Sequence, residues 1–191
     1  MNQRVNFNKN VKMHEICAKE VISKYIDCIC FQNGNAYATE GHLLICNRIE
    51  EICNFEPDQQ ASLEGKAISA ESYKKILEYE LATVTEDGFE CTDEKKGKSF
   101  FYFYEPPQID GEPKKEMPNF DQIFQAEKER IISSAERVVL NLDFLCKIKN
   151  ALFGAMDNGC VITYYEDSVV VKPMNAFCSS WALLKQMKVI A

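Results

Sequence analysis

The sequence lacks the segments that would mark a membrane protein or a secreted protein. None of its 191 residues fall in an apolar run of about 18, the length that an α-helix needs to cross a bilayer. The N-terminal stretch from Met1 to Asn6 does not contain the apolar core of a signal peptide. We therefore expect a cytoplasmic protein without a membrane partner.

Motifs for metal binding and for common enzyme classes are also missing. No two cysteines have CxxC spacing, which argues against a zinc ribbon, and there is no GxGxxG, P-loop or GxSxG motif. His14 and Cys17 lie three residues apart on a predicted helix, but two ligands are too few for a metal site, and a structural role is the simpler interpretation. We expect no metal, no cofactor and no enzymatic activity. A small enzyme that uses His14 or His42 is the distant alternative.

Acidic residues outnumber basic ones by 29 to 22, which gives a net charge of −7. This balance argues against a protein that binds nucleic acid by bulk attraction, although it leaves room for a local basic face. The nine cysteines are an odd number and most of them lie in apolar runs. We interpret them as buried free thiols in a reducing cytosol.

A pattern of strand, helix and about three strands occurs three times. The first unit has a strand at 3–8, a helix at 10–25, a strand at 26–32 and a hairpin through Asn33-Gly34, followed by a loop at 50–62. The second has a strand at 65–69, a helix at 70–80 capped by Ser69, and strands at 81–85, 88–92 and 99–104. The third has a strand at 137–142, a helix at 144–153 capped by Asp143, and strands at 160–165, 168–172 and 181–189.

This pattern predicts an α+β fold with antiparallel sheets and helices on one face. Four prolines among charged residues mark 105–118 as the clearest linker, and a short helix is predicted at 119–135. The predicted domains are therefore 1–105 with two units, a linker at 106–135, and 136–191 with the third unit.

The stretch from Gly34 to Ile45 organises the first unit. It predicts two strands joined by a tight corner at Glu40-Gly41-His42, where Gly41 supplies the positive φ of a sharp reversal. Thr39, Glu40 and His42 place more polar side chains there than a turn requires. Local chemistry favours a plain hairpin corner, and a functional surface is the alternative.

Lysines recur on the three predicted helices. They are Lys12, Lys19, Lys24, Lys74, Lys75, Lys147 and Lys149. One interpretation is that these side chains form ordinary solvated helix faces. The other is that all three helices face one polyanion, which a few lysines would contact in a weak, salt-sensitive and sequence-independent way.

Three segments resemble a known family. Tyr37-Ala38-Thr39-Glu40-Gly41-His42-Leu43-Leu44 resembles the Ala-Thr-Asp-Gly-His-Arg-Leu signature of the bacterial DNA polymerase III beta subunit, the sliding clamp. Met117-Pro118-Asn119-Phe120 is similar to the Tyr-Pro-Asp-Phe segment that precedes a new clamp domain. The C-terminal segment from Trp181 to Val189 is similar to the closing strand of the clamp, which ends in Met-Pro-Met-Arg-Leu.

The resemblance implies a DNA-clamp-like fold and a non-catalytic DNA polymerase processivity factor that tethers replication proteins on duplex DNA. The seven lysines would face the DNA, and an outer pocket would bind peptides of replication proteins. By position, the pocket would use Thr39, Gly41, His42, Leu43, Leu44, Met187 and Lys188. A homo-oligomer would be needed for a ring.

The chain departs from the family pattern at Glu40, Leu43 and Gln186, where the family has Asp, Arg and Pro. It also has three predicted units, whereas a bacterial clamp chain has three domains of two units each. This size fits a short divergent relative encoded by a phage or mobile element. The alternative function is a protein-protein interaction module that keeps the clamp-like fold and no longer encircles DNA.

Overall fold

The computed structural model describes residues 5–19, 25–106, 116–128, 140–153, 159–165, 168–174 and 177–185. Ten strands, β1 to β10, occur in this part of the chain: Cys28–Gln32, Asn35–Thr39, Leu43–Arg48, Ala67–Ser69, Leu81–Val84, Gly88–Asp93, Gly97–Tyr102, Cys160–Tyr164, Ser168–Pro173 and Trp181–Lys185. The α-helices, α1 to α5, are Ile49–Ile52, Pro57–Ala61, Ala70–Ile76, Phe120–Lys128 and Leu142–Ala151, and a 3₁₀ turn covers Met13–Glu15. No described helix combines the length and apolar character that crossing a bilayer requires.

Two antiparallel sheets form the framework. The larger has seven strands in the order β4-β1-β2-β3-β10-β9-β8, and the smaller has the order β5-β6-β7. Every pair of neighbouring strands in both sheets is antiparallel. The fold class expected from the sequence, α+β with antiparallel sheets, is therefore confirmed.

The central strands of the seven-stranded sheet are buried on both faces, whereas the edge strand β8 is mostly exposed. One face, the helix face, packs against the 3₁₀ turn, α3 and α5 through residues such as Met13, Tyr73 and Ile148. The opposite face, the α4 face, carries Tyr37 and Trp181 and is covered by α4. Because both faces are covered, the central strands are almost continuously apolar, as in Leu43–Arg48.

Several local predictions are confirmed. Asn33 and Gly34 both have positive φ, 53° and 71°, as the two-residue hairpin between β1 and β2 requires. Ser69 caps α3, since its hydroxyl accepts a hydrogen bond from the Ser72 N–H at 3.2 Å. The helix predicted at 119–135 is present over Phe120–Lys128 as α4, and residues 129–135 lie outside the described part of the chain.

The helix predicted at 10–25 is wrong over its described part, which contains only the 3₁₀ turn. Backbone groups that a helix would pair internally bond elsewhere: the Lys12 N–H donates to the Asn150 carbonyl at 2.9 Å, and the Ala18 N–H donates to the Ile26 carbonyl at 2.8 Å. The apolar spacing remains useful, because Met13 and Ile16 are both fully buried. Periodicity therefore identified the buried face but not the backbone conformation.

Two further predictions need correction. The loop predicted at 50–62 contains α1 and α2, and Pro57 begins α2, a position where its missing N–H costs nothing. Asn141, not Asp143, caps α5, and its side chain accepts a hydrogen bond from the Asp143 N–H at 2.9 Å. The strand predicted at 137–142 has only its last three residues in the described part of the chain, and Leu142 is already helical.

Strands of the first and third predicted units join where β3 pairs with β10. Asn47 is fully buried at this junction; its amide donates to the Ala151 carbonyl at 3.0 Å and accepts from the Phe153 N–H at 2.8 Å. Glu51 accepts from the Ser179 N–H and the Ser180 hydroxyl, at 2.8 Å and 2.7 Å. The two units therefore share one sheet, and the predicted domain boundaries stay a prediction.

Candidate functional site

The corner between β2 and β3 is held by its own polar side chains. The Thr39 hydroxyl donates to the Leu43 carbonyl at 2.8 Å and accepts from the Gly41 N–H at 3.0 Å. The Glu40 carboxylate accepts from the His42 N–H at 3.1 Å and lies 3.8 Å from His42 Nδ1. Gly41 has φ of +101°, although a Cβ there would meet no atom within 4 Å. Glycine is therefore required by the backbone angle and not by space.

The five described residues of the predicted peptide pocket differ in exposure. His42 is exposed, with 73% of its side chain open to solvent, and Gly41 is exposed beside it. Leu43 is fully buried on the helix face, and Leu44 is buried on the α4 face. Met187 and Lys188 lie outside the described residues. The corner thus carries exposed polar residues next to two leucines that are buried on opposite faces of the sheet, and its use as a pocket stays a prediction.

Helix α4 lies on the sheet face to which Leu44 belongs. The Phe124 ring stacks on Trp181 with centroids 3.6 Å apart, and the Phe120 ring stacks on Tyr37 at 4.9 Å. The Tyr37 hydroxyl donates to the Asp121 carboxylate at 2.6 Å, and burial is the main cause that raises the pKa of Tyr37. Sequence reasoning found this helix but not its docking site. The four-residue spacing of Phe120 and Phe124 was the available signal.

Three of the predicted DNA-facing lysines meet at one surface concavity of about 710 Å³, which we call the lysine depression. Its five lysines are Lys9, Lys12, Lys19, Lys74 and Lys96. His14, Cys17 and Leu77 form its floor, and Glu15 and Glu78 are its acidic residues. Sequence reasoning missed Lys9 and Lys96, because both lie outside the predicted helices.

The other predicted lysines that the structure describes are not among the residues that line this depression. Lys75 forms an ion pair with Glu71 at 2.7 Å on the exposed surface of α3. The Lys147 ammonium lies 5.5 Å from the centre of the Phe144 ring, and Lys149 is exposed on the same helix, α5. Lys24 is outside the described residues.

The lysine-bearing elements are neighbours on the helix face. The 3₁₀ turn packs against both α3 and α5. The Asn150 amide of α5 donates to the Glu15 carboxylate of the 3₁₀ turn at 3.0 Å. Lys74 of α3 therefore shares one surface with Lys12 and Lys19, which lie on either side of the 3₁₀ turn in the sequence, and α5 packs against that turn.

The floor of the lysine depression holds a neutral histidine. Burial is the main cause that lowers the pKa of His14 from its ordinary value, and the positive charges of Lys74 and Lys12 act in the same direction against an opposing effect of Glu15. Its Nδ1 is buried and has no hydrogen-bond partner within the described ranges.

Metal binding at His14 and Cys17 has no support from their surroundings. Within the described part of the chain, no three His, Cys, Asp or Glu side chains are grouped as metal ligands. Burial raises the pKa of the Cys17 thiol to about 12, so this side chain is a thiol and not a thiolate at neutral pH. All nine cysteines are unpaired; five are buried, and Cys146 is exposed.

No protein-family model and no curated protein sequence matches the chain. Among solved structures, the Bacillus subtilis DNA polymerase sliding clamp matches with a TM-score of 0.56 and 11% identity, over 95% of this chain and 62% of the clamp. The Bartonella birtlesii sliding clamp bound to griselimycin gives 0.56 and 14%, over 95% and 64%. The Helicobacter pylori beta clamp bound to a DNA ligase peptide gives 0.51 and 10%, over 94% and 63%.

The chain thus covers between 62% and 64% of the length of these three clamps. The likeness extends over nearly all of this chain, and it agrees with the antiparallel sheets and the helix layer found above. The fold of the chain is that of the bacterial DNA polymerase sliding clamps, as the sequence resemblance implied.

Proposed function

We propose that this chain is a non-catalytic, sliding-clamp-like processivity factor that holds replication proteins on duplex DNA. The observation that carries the proposal is the gathering of Lys12, Lys19 and Lys74 at one concavity of the helix face, in a chain of net charge −7 with a clamp fold. An acidic chain that concentrates lysines on one surface attracts a polyanion there and repels it elsewhere.

The character of the contact follows from lysine chemistry. Ammonium groups on flexible stems neutralise phosphates and do not read base edges, so binding is weak, independent of sequence and sensitive to salt. These are the properties of a protein that moves along DNA. The buried, protonated Cys17 and the neutral His14 support the non-catalytic part of the proposal, since neither is activated as a nucleophile.

Peptide binding at the outer corner is the second part of the proposal. The solved clamps include one bound to a DNA ligase peptide and one bound to griselimycin. In this chain the equivalent surface would consist of Thr39, Gly41, His42, Leu43 and Leu44, with Met187 and Lys188. The exposed His42 is the side chain that a bound peptide would contact first.

Assembly into an oligomer is the third part. We propose that copies of this chain associate with one another to form a ring. Exposed apolar side chains on two strands support such contacts: Phe100 and Tyr102 on β7, and Val161 and Ile162 on β8. In the described sheets, β7 and β8 are edge strands, whose outer backbone groups are available to pair with another chain.

The alternative is an interaction module that keeps the clamp fold and has lost DNA. Leu43 favours it, because this residue is buried in the core where the resembling signature has a charged Arg. The two functions differ in one measurable property, the binding of duplex DNA.

Retention on nicked circular DNA, compared with linear DNA, tests the proposal. Replacing Lys12, Lys19 and Lys74 by Gln should lower the slope of log affinity against log salt by up to about 3, since each lost phosphate contact removes about 0.9. Lys172→Gln is the matched control, because Lys172 lies on the α4 face by strand alternation with Val170. A chain that stays monomeric in light scattering and shows no retention would rule out the clamp function.

A further inference from the structure

The lysine depression has five lysines, and only two of them form ion pairs with its acidic residues. Of its acidic residues, Glu15 pairs with Lys12 at 3.6 Å and accepts from the Asn150 amide at 3.0 Å, and Glu78 pairs with Lys96 at 2.5 Å. Lys9, Lys19 and Lys74 form no ion pair within the described ranges of the chain. Three ammonium groups are therefore available around one concavity.

The floor of the depression contains an uncharged ring. His14 contributes a neutral imidazole, and its Nδ1 is one of the few buried polar atoms that find no partner in the described chain. The ring lies near Tyr73, with centroids 6.2 Å apart. A neutral imidazole adds no charge to the depression, so the lysines supply the attraction for an anion.

The size of the depression indicates what kind of anion fits. A volume of about 710 Å³ is larger than one phosphate group requires, so the depression also has room for the sugars on either side of that phosphate. Phosphate groups accept hydrogen bonds from several ammonium donors at once, and lysine is a common phosphate ligand. A nucleotide segment of a nucleic-acid backbone matches both the volume and the charge.

We propose that the lysine depression is a discrete phosphate site that seats one phosphate group of a nucleic-acid backbone between Lys9, Lys19 and Lys74. This inference deepens the proposed function and rests on it. It adds Lys9 and Lys96 to the DNA contact and specifies one position at which the DNA backbone touches the protein. Lys96 acts through Glu78: their ion pair keeps the carboxylate from repelling the phosphate.

The imidazole of His14 reports occupancy of the site directly. The chain has two histidines, so a His42→Gln background leaves His14 as the single imidazole in a proton NMR spectrum. We expect its resonances to shift and saturate on addition of a short duplex DNA, and to shift more weakly on addition of inorganic phosphate. Lys9→Gln should weaken both responses and lower the salt slope of duplex binding by about 1. Lys172→Gln, which removes the same charge on the α4 face, should change neither.

The outcomes separate this inference from the proposed function. Duplex binding without any movement of the His14 resonances would overturn the phosphate site while the clamp function stands. A response to inorganic phosphate but not to duplex DNA would overturn the assignment to a nucleic-acid backbone. Equal effects of Lys9→Gln and Lys172→Gln would show that only overall charge matters, and this result would also overturn the proposal.

Discussion

The Thr39 hydroxyl joins both sides of the corner between β2 and β3, since it donates to Leu43 and accepts from Gly41. The Glu40 carboxylate bonds the His42 N–H in the same turn. These contacts explain most of the polar crowding at the corner by turn chemistry alone. His42 is the side chain that they leave on the surface, so a binding role for the corner depends mainly on this residue.

Gly41→Ala tests the backbone requirement at the corner. A side chain at φ of +101° clashes with its own backbone, so we expect the free energy of unfolding to fall by about 1–2 kcal/mol. Urea denaturation of the full chain measures this change. His42→Ala is the control, because an exposed side chain changes stability by less than about 0.5 kcal/mol. Equal midpoints for the two variants would contradict the prediction.

Residues whose role depends on local backbone geometry were predictable from the sequence. The positive φ at Gly41 and the cap at Ser69 both follow from residue type and immediate neighbours. Lys9 and Lys96 were not predictable, because they meet only when the turn between β6 and β7 approaches the segment before the 3₁₀ turn. The two lysines are far apart in the sequence, so no local pattern indicates that they meet.

Helix α4 belongs to the predicted linker at 106–135 and packs it against the sheet. Its two aromatic rings and Asp121 contact Tyr37 and Trp181, which belong to β2 and β10. Stacked aromatic pairs contribute about 0.5–1.5 kcal/mol beyond their burial. The α4 contacts therefore stabilise the arrangement of β2 and β10, which belong to the first and third predicted units. They do so on the sheet face opposite to the lysines.

Phe124→Ala should release α4 from Trp181. Trp181 is the only tryptophan in the chain and is buried, so tryptophan fluorescence reports the surroundings of this one residue. We expect a red shift of the emission and stronger quenching by acrylamide, because water reaches the indole when the ring at 3.6 Å is removed. Ile123→Ala on the same helix is the control, since Ile123 is exposed. An unchanged spectrum for Phe124→Ala would argue against the docked helix.

Elements were predictable where hydrophobic alternation and turn residues agreed. The hairpins of β1 to β3 and of β5 to β7 are of this kind. The segment 10–19 failed because its helical spacing of apolar residues is also met by an irregular chain whose N–H groups bond to α5 and to residue 26. Tertiary hydrogen bonds therefore overrode the periodic pattern.

Across the whole molecule, buried thiols make the free energy of unfolding fall when the pH becomes alkaline. Burial raises the pKa of Cys17, Cys46 and Cys91 from 9.0 to about 12. A raised pKa in the folded state gives stability that is complete below pH 9 and is lost as the pH rises toward 12, because the unfolded chain releases these protons first. The free energy of unfolding should therefore decrease above pH 9.

Urea denaturation between pH 7.5 and 10.5 checks this dependence. Each thiol that is ionised only in the unfolded state contributes a slope of about 1.4 kcal/mol per pH unit at most. Cys91→Ala should reduce the slope, while Cys146→Ala, at an exposed thiol, should leave it unchanged. A slope that is the same in all three proteins would show that the buried thiols are not responsible.

The fold of the whole molecule was predictable because three short segments resemble one family and the repeating pattern agrees with it. The pairing of β3 with β10 was not, since nothing in either strand specifies the other: both are apolar runs that fit many partners. Asn47 and Glu51 select this pairing through hydrogen bonds to the third unit, and their role becomes visible only in the assembled structure.

The pairing of β3 with β10 also sets the order of events during synthesis. Leu43 to Cys46 must wait for Trp181 to Leu184, which the ribosome adds more than a hundred residues later. At about 5–20 residues per second, the apolar edge of β3 stays without this partner for several seconds or longer. A nascent chain of this protein is thus most prone to aggregation before β10 emerges, and chaperones that recognise apolar edges would act in that interval.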